Sequence, residues 1–183
     1  MTLDPGVDTA WLVIDGDADI GGVHCGRHDY QQRSAGGECQ IGLGSTHGAR
    51  LMLREARPAR QAPGIAAAVQ TSRAGMMGWE LLAEGISRCL LAPPQAAAAS
   101  SPPAVASAYL IRMAPGASVP AHRHGHAEEC LLLEGEMYLD DVLLFGGEFQ
   151  LARAGGEHHE ASSEQGVLLG VHGDLDLDVI AGV

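Results

Sequence analysis

The sequence predicts an all-β protein that contains two copies of one antiparallel unit. Its short apolar runs are interrupted at close intervals by glycine, Asp-Asp and Pro-Gly, which are typical of turns between strands. Only 4% of the residues are aromatic, and 25 of the 183 residues are glycines. No apolar run is long enough to cross a bilayer, and no secretory leader is evident at the start of the chain. We therefore expect a cytoplasmic protein without a membrane contact.

The two copies are visible as two pairs of matching blocks. The segment "WLVIDGD" at 11–17 aligns with "CLLLEGE" at 130–136, and "HDYQQRSAGGEC" at 28–39 aligns with "GEFQLARAGGEH" at 147–158. Both pairs are 119 positions apart without a gap, and both blocks of the second pair contain Ala-Gly-Gly-Glu. Because two separated blocks share one register, we interpret them as one β unit that occurs twice.

The repeat divides the chain into three parts. Residues 1–56 are predicted to form a degenerate partial copy that lacks its opening strands, and residues 105–183 a complete barrel. Residues 57–104 connect them and include an Ala/Pro/Ser-rich linker, "APPQAAAASSPP", at 92–103. A partial copy leaves an uncovered sheet edge, which either the central segment or a second subunit must pair with. We favour a homodimer, with Leu131 and Leu133 as outward-facing apolar surface.

Charge and cysteine content exclude several classes of function. The formal net charge is −12 and every basic residue except histidine is an arginine, so nucleic acid is not an expected partner. Lysine is absent, which excludes a Walker lysine and a Schiff-base lysine. The four cysteines, at 25, 39, 89 and 130, are far apart and lack the spacing of a zinc ribbon, so we expect free thiols.

The segment "PAHRHGHAEECLLLEG" at 120–135 contains the strongest chemical signal. On a strand, His122 and His124 share one face, and Glu128 can add an oxygen after a short turn. The Gly-Gly of "GGEHHE" allows a turn that returns His158 or His159 towards that pair. Such a set suits zinc, iron, manganese, nickel or copper, and leaves positions for water or for a small-molecule or oxidant ligand.

These motifs resemble the cupin superfamily of jelly-roll barrels. The glycines at 116 and 135 flank the histidines and the glutamate at the spacing of the first cupin motif, and Gly147, Gly155 and His158 match the second. Arg153 and Ser162 replace the usual proline and asparagine of that second motif. The resemblance implies a metal held by His122, His124, Glu128 and His158, with His126 and His159 outside the ligand set.

The equivalent positions of the first copy contain different residues. By the 119-residue register they are Leu3, Pro5, Thr9 and Cys39, so the first copy is expected to bind no metal.

Residues 105–175 are most similar to the cupin domain of ChrR-type anti-sigma factors, and residues 9–56 resemble it more weakly. The likeness implies a zinc-loaded sensor or regulatory module in transcription, with Fe²⁺, Mn²⁺ or Ni²⁺ as alternative metals. The His-x3-Cys-x2-Cys motif of the sigma-binding domain does not occur in this sequence, so a sigma factor is not a predicted partner.

The alternative function is a metal-dependent dioxygenase or isomerase that acts on a small molecule, and the sequence leaves open whether the protein is an enzyme. An enzyme for a carboxylate substrate would need an inward arginine. Arg112 alternates with the inward residues of its strand and Arg123 with the histidines, which favours the sensor. Tyr138 and Cys130 are further candidates for the wall of the pocket.

Overall fold

The computed structural model of the chain describes residues 2–4, 6–36, 39–40, 42–57, 68–93 and 107–173. The chain divides into two compact units, Met1–Met77 and Gly78–Val183, with the boundary inside the segment predicted to be a connection. The linker residues at 94–103 lie outside the described residues. Within the described ranges, no helix is long and apolar enough to span a membrane.

The first unit contains nine strands and one short 3₁₀ helix among its described residues. The strands β8, β2, β5 and β9 form a four-stranded antiparallel sheet in that order, and β4, β3 and β7 form a second sheet. The elements are β1 (Thr2–Leu3), β2 (Asp8–Gly16), β3 (Ala18–Ile20), β4 (Val23–Cys25), β5 (Tyr30–Arg33), β6 (Cys39–Gln40), β7 (Leu43–Gly44), β8 (Ala49–Ala56), β9 (Val69–Ser72) and the 3₁₀ helix Ala74–Met76.

The second unit contains eleven strands in its described part. A nine-stranded antiparallel sheet includes β10, β11, β12, β20 and β15, and β14 pairs separately with β18. The strands are β10 (Glu80–Ala83), β11 (Ile86–Ala92), β12 (Ser107–Met113), β13 (Ser118–Val119), β14 (His122–Arg123), β15 (Glu128–Leu139), β16 (Val142–Phe145), β17 (Phe149–Ala152), β18 (Glu157–His158), β19 (Ala161–Ser162) and β20 (Val167–Gly173). The fold is all-β, as predicted.

The strand registers confirm the repeat. Leu3 pairs with Cys39 in the first unit, and the residues 119 positions later, His122 and His158, pair with each other in the second. The pairing of β2 with β5 likewise recurs between β15 and β17, and that of β3 with β4 recurs between β15 and β16. The two copies therefore share their strand pairing. The shared pairing includes the short strands β1 and β14, which lie outside the matching sequence blocks.

Each copy also has a β-bulge at the same place in its long strand. The register of β2 shifts between Val13 and Asp15, and that of β15 shifts between Leu132 and Glu134. A glycine at positive φ follows each bulge, Gly16 with φ 75° and Gly135 with φ 78°. A Cβ on Gly135 would lie 2.0 Å from the carbonyl oxygen of Gly166, so glycine is required by space as well as by conformation.

The prediction that Leu131 and Leu133 face outward to solvent is wrong, because they are only 6% and 7% exposed. Cys130 and Leu132 belong to the core cluster of the second unit, as expected for the inner face. All seven residues of β20 are buried as well, so strands of this sheet are covered on both faces. A strand covered on both faces has a continuous apolar run rather than an alternation of apolar and polar residues. The segment "CLLL" at 130–133 is such a continuous run.

The two units differ in which strand edges are paired. In the first unit, β9 from the predicted connecting segment pairs with the outer edge of β5. Among the described residues, the equivalent strand β17 pairs with β15 alone. Large apolar side chains of β16 and β17 are exposed, namely Val142, Phe145, Phe149 and Leu151. The first of the two predicted covers, the central segment, thus pairs with the edge of the first unit through β9, and Leu131 and Leu133 offer no exposed surface, so the homodimer stays a prediction without these two grounds.

Each unit contains one of the two tryptophans of the chain. Trp11 lies in the core of the first unit and is 1% exposed. Trp79 of the second unit is 36% exposed, and the guanidinium of Arg112 stacks 4.1 Å from the centre of its ring. This contact accounts for the side chain of Arg112, which points out of the sheet.

Candidate metal centre

Two short strands and a tight turn bring three histidines together in the second unit. His122 on β14 lies directly opposite His158 on β18. The ladder continues through His124, whose N–H donates to the Gly156 carbonyl at 2.9 Å and whose carbonyl accepts from Gly155 at 2.7 Å. Gly155 has φ 80°, as the predicted turn requires. The return of His158 to the first histidine pair follows from this turn.

The three imidazole rings are in mutual contact. Their centroids are 4.9 Å apart for His122 and His124, 5.0 Å for His124 and His158, and 5.6 Å for His122 and His158. All three pairs are edge-to-face. The three candidate imidazoles therefore form one cluster.

Hydrogen bonds on the outer side of two rings orient the nitrogens. Nδ1 of His122 is 2.9 Å from the carbonyl oxygen of Pro120, and Nδ1 of His158 is 3.4 Å from a carboxylate oxygen of Asp140. Because both partners can only accept, each Nδ1 carries the hydrogen and each Nε2 keeps its lone pair. The Nε2 lone pair of these two rings is therefore available to accept a hydrogen bond or to bind a metal ion.

His124 is the most buried ring, with 7% of its surface exposed. Its Nε2 is buried without a hydrogen-bond partner. Burial, together with the charges of the neighbouring His122 and His158, lowers the pKa of His124 to about 4. The ring is thus neutral near neutral pH, with a buried nitrogen whose hydrogen-bonding capacity is unused, which is unfavourable unless something binds to it.

Glu128 begins β15 beside the three rings. Burial raises the pKa of Glu128 to about 7, and the hydrogen bond that it accepts from the Tyr109 hydroxyl at 3.3 Å acts in the opposite direction. A carboxylate that is costly to charge in this environment gains from a nearby cation. Burial, and after it the charge of Glu128, raises the pKa of Cys130, which is a neutral thiol in the cavity wall.

The side chains of His122, His124, Glu128 and His158 line one cavity with a volume of about 90 Å³. Gln150 contributes an amide, and its Nε2 lies 3.4 Å from Nε2 of His158. The rest of the described lining is apolar apart from Gly125 and the Cys130 thiol, and comprises Ile86, Ile111, Met113, Val119, Met137, Leu139, Ala161, Leu169 and Val171. The cavity is therefore a small apolar space with imidazoles and one carboxylate at one place in its wall.

These side chains fit a transition-metal ion in their chemistry. Three neutral imidazoles and one carboxylate are a ligand set suited to zinc and to iron. The buried, unpartnered Nε2 of His124 is the observation that favours such an ion. Among the described residues, however, no group of three or more His, Cys, Asp or Glu side chains has the geometry of a formed metal site. Metal binding by His122, His124, Glu128 and His158 therefore stays a prediction.

The candidate residue Tyr138 does not belong to the cavity, since it is 37% exposed. The bulge after Leu132 reverses the alternation along β15, so that Met137 and Leu139 line the cavity in its place. Cys130 precedes the bulge and lies in the wall as expected. The inference about Tyr138 failed because alternation was counted through a bulge.

Sequence reasoning missed three residues of the site: Tyr109, Gln150 and Asp140. Tyr109 was predicted to face inward, but not to bond Glu128. Gln150 lies directly opposite Cys130 in the strand pair, so the inward position of Cys130 could have indicated it. Nothing in the sequence marked Asp140, because its carboxylate approaches His158 from a different turn.

The other polar candidates lie outside the cavity. Arg123 is exposed and its Nε donates to Glu157 at 2.7 Å, which confirms that it points away from the histidines. His126 is exposed, and the side chain of His159 is 87% exposed. Neither ring lines the cavity.

A curled antiparallel sheet whose two short pairing strands bring histidines into the cavity is the arrangement of a cupin. Several solved structures are similar in fold to most of this chain. GK1651 from Geobacillus kaustophilus has a TM-score of 0.68 and 18% identity, with 92% of this chain and 74% of that chain covered. Quercetin 2,3-dioxygenase from Acinetobacter baumannii has a TM-score of 0.64 and 18% identity, with 94% and 66% covered.

YlbA from E. coli is similar in the same sense, with a TM-score of 0.65, 15% identity, and 93% and 69% of the two chains covered. At these identities the likeness shows the fold alone. A comparison with curated protein sequences gives no match.

The family is given by a sequence model. Residues 67–175, more than half of the chain, match the ChrR cupin-like domain. The chain therefore belongs to the ChrR cupin-like family. The matched range includes all four predicted ligands and begins just before β9 of the first unit.

Proposed function

We propose that the protein is a metal-binding sensor or regulatory module that holds zinc at His122, His124, Glu128 and His158. The observation that carries this proposal is the buried Nε2 of His124, which has no partner and lies between two further imidazoles. Neutral imidazoles and one carboxylate bind zinc without a redox requirement, and Fe²⁺, Mn²⁺ and Ni²⁺ are the alternatives. A bound metal would also offset the cost of charging the buried Glu128 carboxyl.

The composition of the cavity wall supports a sensor rather than an enzyme. Within the described lining, the one polar side chain beyond the four predicted ligands and the neutral Cys130 thiol is the amide of Gln150. An amide can donate a hydrogen bond to a bound ligand but cannot act as a general base near neutral pH. The two arginines considered for substrate binding, Arg112 and Arg123, are engaged elsewhere.

The alternative proposal is a dioxygenase or isomerase, because quercetin 2,3-dioxygenase has a similar fold. One experiment separates the two. The protein is purified without an affinity tag, its metals are measured by elemental analysis, and oxygen consumption is then recorded after loading with Fe²⁺. About one zinc per chain without oxygen consumption supports the sensor.

Stoichiometric iron with oxygen consumption on a small-molecule substrate would replace the sensor by the enzyme. Metal binding itself would be overturned if the native protein held no more zinc than a His122→Ala/His124→Ala variant. That variant is the matched control for contaminating metal, since it retains every other residue of the chain.

A further inference from the structure

The turn between β15 and β16 contains an aspartate in an unusual backbone conformation. Asp140 has φ 51°, in the left-handed region that non-glycine residues adopt infrequently. In the first unit the equivalent turn is Gly21-Gly22, with φ values of 61° and 82°. Aspartate is tolerated in such turns, so the backbone conformation alone does not indicate a functional role for Asp140. The contacts of its carboxylate do indicate one.

The Asp140 carboxylate reaches from its own turn to the residues that follow β18. One oxygen accepts the backbone N–H groups of His159 at 2.6 Å and of Glu160 at 3.2 Å. The backbone N–H of Asp140 donates in return to the Glu160 carbonyl at 2.9 Å. The second carboxylate oxygen lies 3.4 Å from Nδ1 of His158. The aspartate is thus fixed by the backbone, and one of its oxygens remains for the imidazole.

We propose that Asp140 is the positioning residue of His158 and fixes its ring with Nδ1–H outward and Nε2 towards the cavity. This inference rests on the proposed metal-binding function. A carboxylate can accept the hydrogen of Nδ1 but cannot donate one, so it selects a single tautomer. Loss of such a partner behind a metal-ligating histidine typically lowers metal affinity about 10- to 100-fold.

Gln150 favours the same tautomer from the other side of the ring. Its amide nitrogen lies 3.4 Å from Nε2 of His158 and can only donate, so it requires a lone pair on Nε2. The ring therefore has an acceptor at Nδ1 and a donor at Nε2, and both contacts specify the same arrangement. Asp140 binds from outside the cavity, whereas Gln150 lines it.

The first unit supports the link between Asp140 and His158. Residues 119 positions earlier are Gly21 in the turn and Cys39 opposite Leu3, so the copy without the imidazole also lacks the carboxylate. The hairpin itself is formed in both copies with the same register. The turn therefore does not need an aspartate in order to form, and the carboxylate occurs in the copy that has a ring to hold.

The test compares Asp140→Asn with Asp141→Asn, the exposed neighbour in the same turn. The asparagine oxygen can still accept the backbone N–H groups, but its NH₂ group cannot accept the hydrogen of Nδ1. We expect Asp140→Asn to raise the Kd for zinc about 10- to 100-fold in competition with a chelator. Asp141→Asn should remain within about twofold of the wild type.

The second readout is the tautomer of His158 in the metal-free protein, measured from the ¹⁵N shifts of its ring nitrogens. The wild type should show one tautomer with the hydrogen on Nδ1, and Asp140→Asn should show a mixture. An Asp140→Gly variant, which suits the positive φ but lacks the carboxylate, should shift His158 towards a mixture of tautomers, as Asp140→Asn does.

An unchanged tautomer and an unchanged zinc Kd in Asp140→Asn would overturn the positioning role. If the wild type binds no zinc, the proposed function fails, and the tautomer measurement still decides whether Asp140 orients the ring. The two failures can therefore be distinguished.

Discussion

The two copies of the repeat have the same strand pairing but different side chains at the positions of the candidate site. His122 and His158 in the second copy correspond to Leu3 and Cys39 in the first, and the two pairs have the same register. Glu128 corresponds to Thr9, which is 1% exposed. The comparison shows that the strand pair which carries the candidate ligands forms in the same register without these side chains.

Part of the polar interior of the first copy is hydrogen-bonded within the protein, while the Thr9 hydroxyl and the indole nitrogen of Trp11 are buried without a hydrogen-bond partner among the described residues. Gln31, which corresponds to Gln150, donates to the Ile20 carbonyl and to the Thr71 hydroxyl, and Thr71 lies on β9. Arg33 donates to the Gly36 carbonyl at 2.6 Å. Where the second copy has a cavity with imidazoles, the first has a packed core with internal hydrogen bonds. The difference between the two interiors thus follows from a few side chains on a common set of strands.

The largest expected effect is the loss of metal from the second copy. We expect His122→Ala and His124→Ala each to weaken zinc binding more than about 100-fold, because each removes a predicted direct ligand. Loss of a hydrogen-bond partner behind a ligand typically costs only about 10- to 100-fold. In the presence of zinc, each variant should also melt at a lower temperature than the wild type. Elemental analysis, chelator competition and calorimetry measure these effects.

The matched control for the histidine variants is His24→Ala, which removes an exposed ring of the first copy that lies 3.6 Å from Asp19. Its zinc content should equal that of the wild type. Metal that remains in His124→Ala but is lost in His24→Ala would reverse the assignment of the site to the second copy.

Substitutions at equivalent core positions should each destabilise the unit in which they lie. Leu132 and Val13 correspond in the repeat and are both 0% exposed. Leu132→Ala should lower the free energy of unfolding by about 2–5 kcal/mol, and Val13→Ala by less because fewer buried carbons are removed. Denaturant unfolding with and without zinc measures this, and zinc should shift only the transition that Leu132→Ala lowers.

The two bulge glycines should respond alike, since their geometry is the same. A Cβ on Gly16 would lie 2.2 Å from the Gly48 carbonyl, and one on Gly135 would lie 2.0 Å from that of Gly166. Positive φ alone costs about 1–3 kcal/mol for a non-glycine residue, and the clash adds to it. Gly147→Ala is the control, because its φ is 97° but no atom lies within 4 Å of the added carbon. Equal losses in Gly135→Ala and Gly147→Ala would contradict the importance of the clash.

The smallest expected effect concerns the sheet edge that is paired in one copy and not in the other. The predicted homodimer should appear in light scattering as twice the 19.0 kDa chain mass. With Leu131 and Leu133 buried, we expect the contact at the exposed apolar residues of β16 and β17, so Phe149→Gln/Leu151→Gln should shift the equilibrium towards monomer. A constant monomer mass for the wild type at all concentrations would exclude the dimer.

Much of the fold could be predicted because a repeat fixes relations between distant residues. The Gly-Gly turn of "GGEHHE" predicted that His158 or His159 returns to the first histidine pair, the likeness to the second cupin motif selected His158, and the structure pairs His158 with His122. Period-two alternation then placed His122, His124, Glu128 and Cys130 on one face, as they are. These signals depend on spacing alone, which the sequence contains directly.

What could not be predicted depends on contacts between separate elements. Alternation gave the wrong position for Tyr138 because one bulge reverses the faces, and no single residue marks where the bulge falls. Alternation also predicted that Leu131 is exposed, which is wrong. Both faces of its strand are covered, and such a strand shows no alternation of apolar and polar residues. The bond from Asp140 to His158 joins two turns that are far apart in sequence, so no local pattern indicates it.

The placement of the two tryptophans makes each unit separately visible to fluorescence. Trp11 is enclosed in the first unit and should emit at short wavelength, whereas Trp79 in the second unit is partly in water and contacts a guanidinium. Trp79→Phe would leave a reporter of the first unit alone, and Trp11→Phe a reporter of the second. Emission spectra recorded during unfolding would then show whether the two units lose their structure together or one after the other.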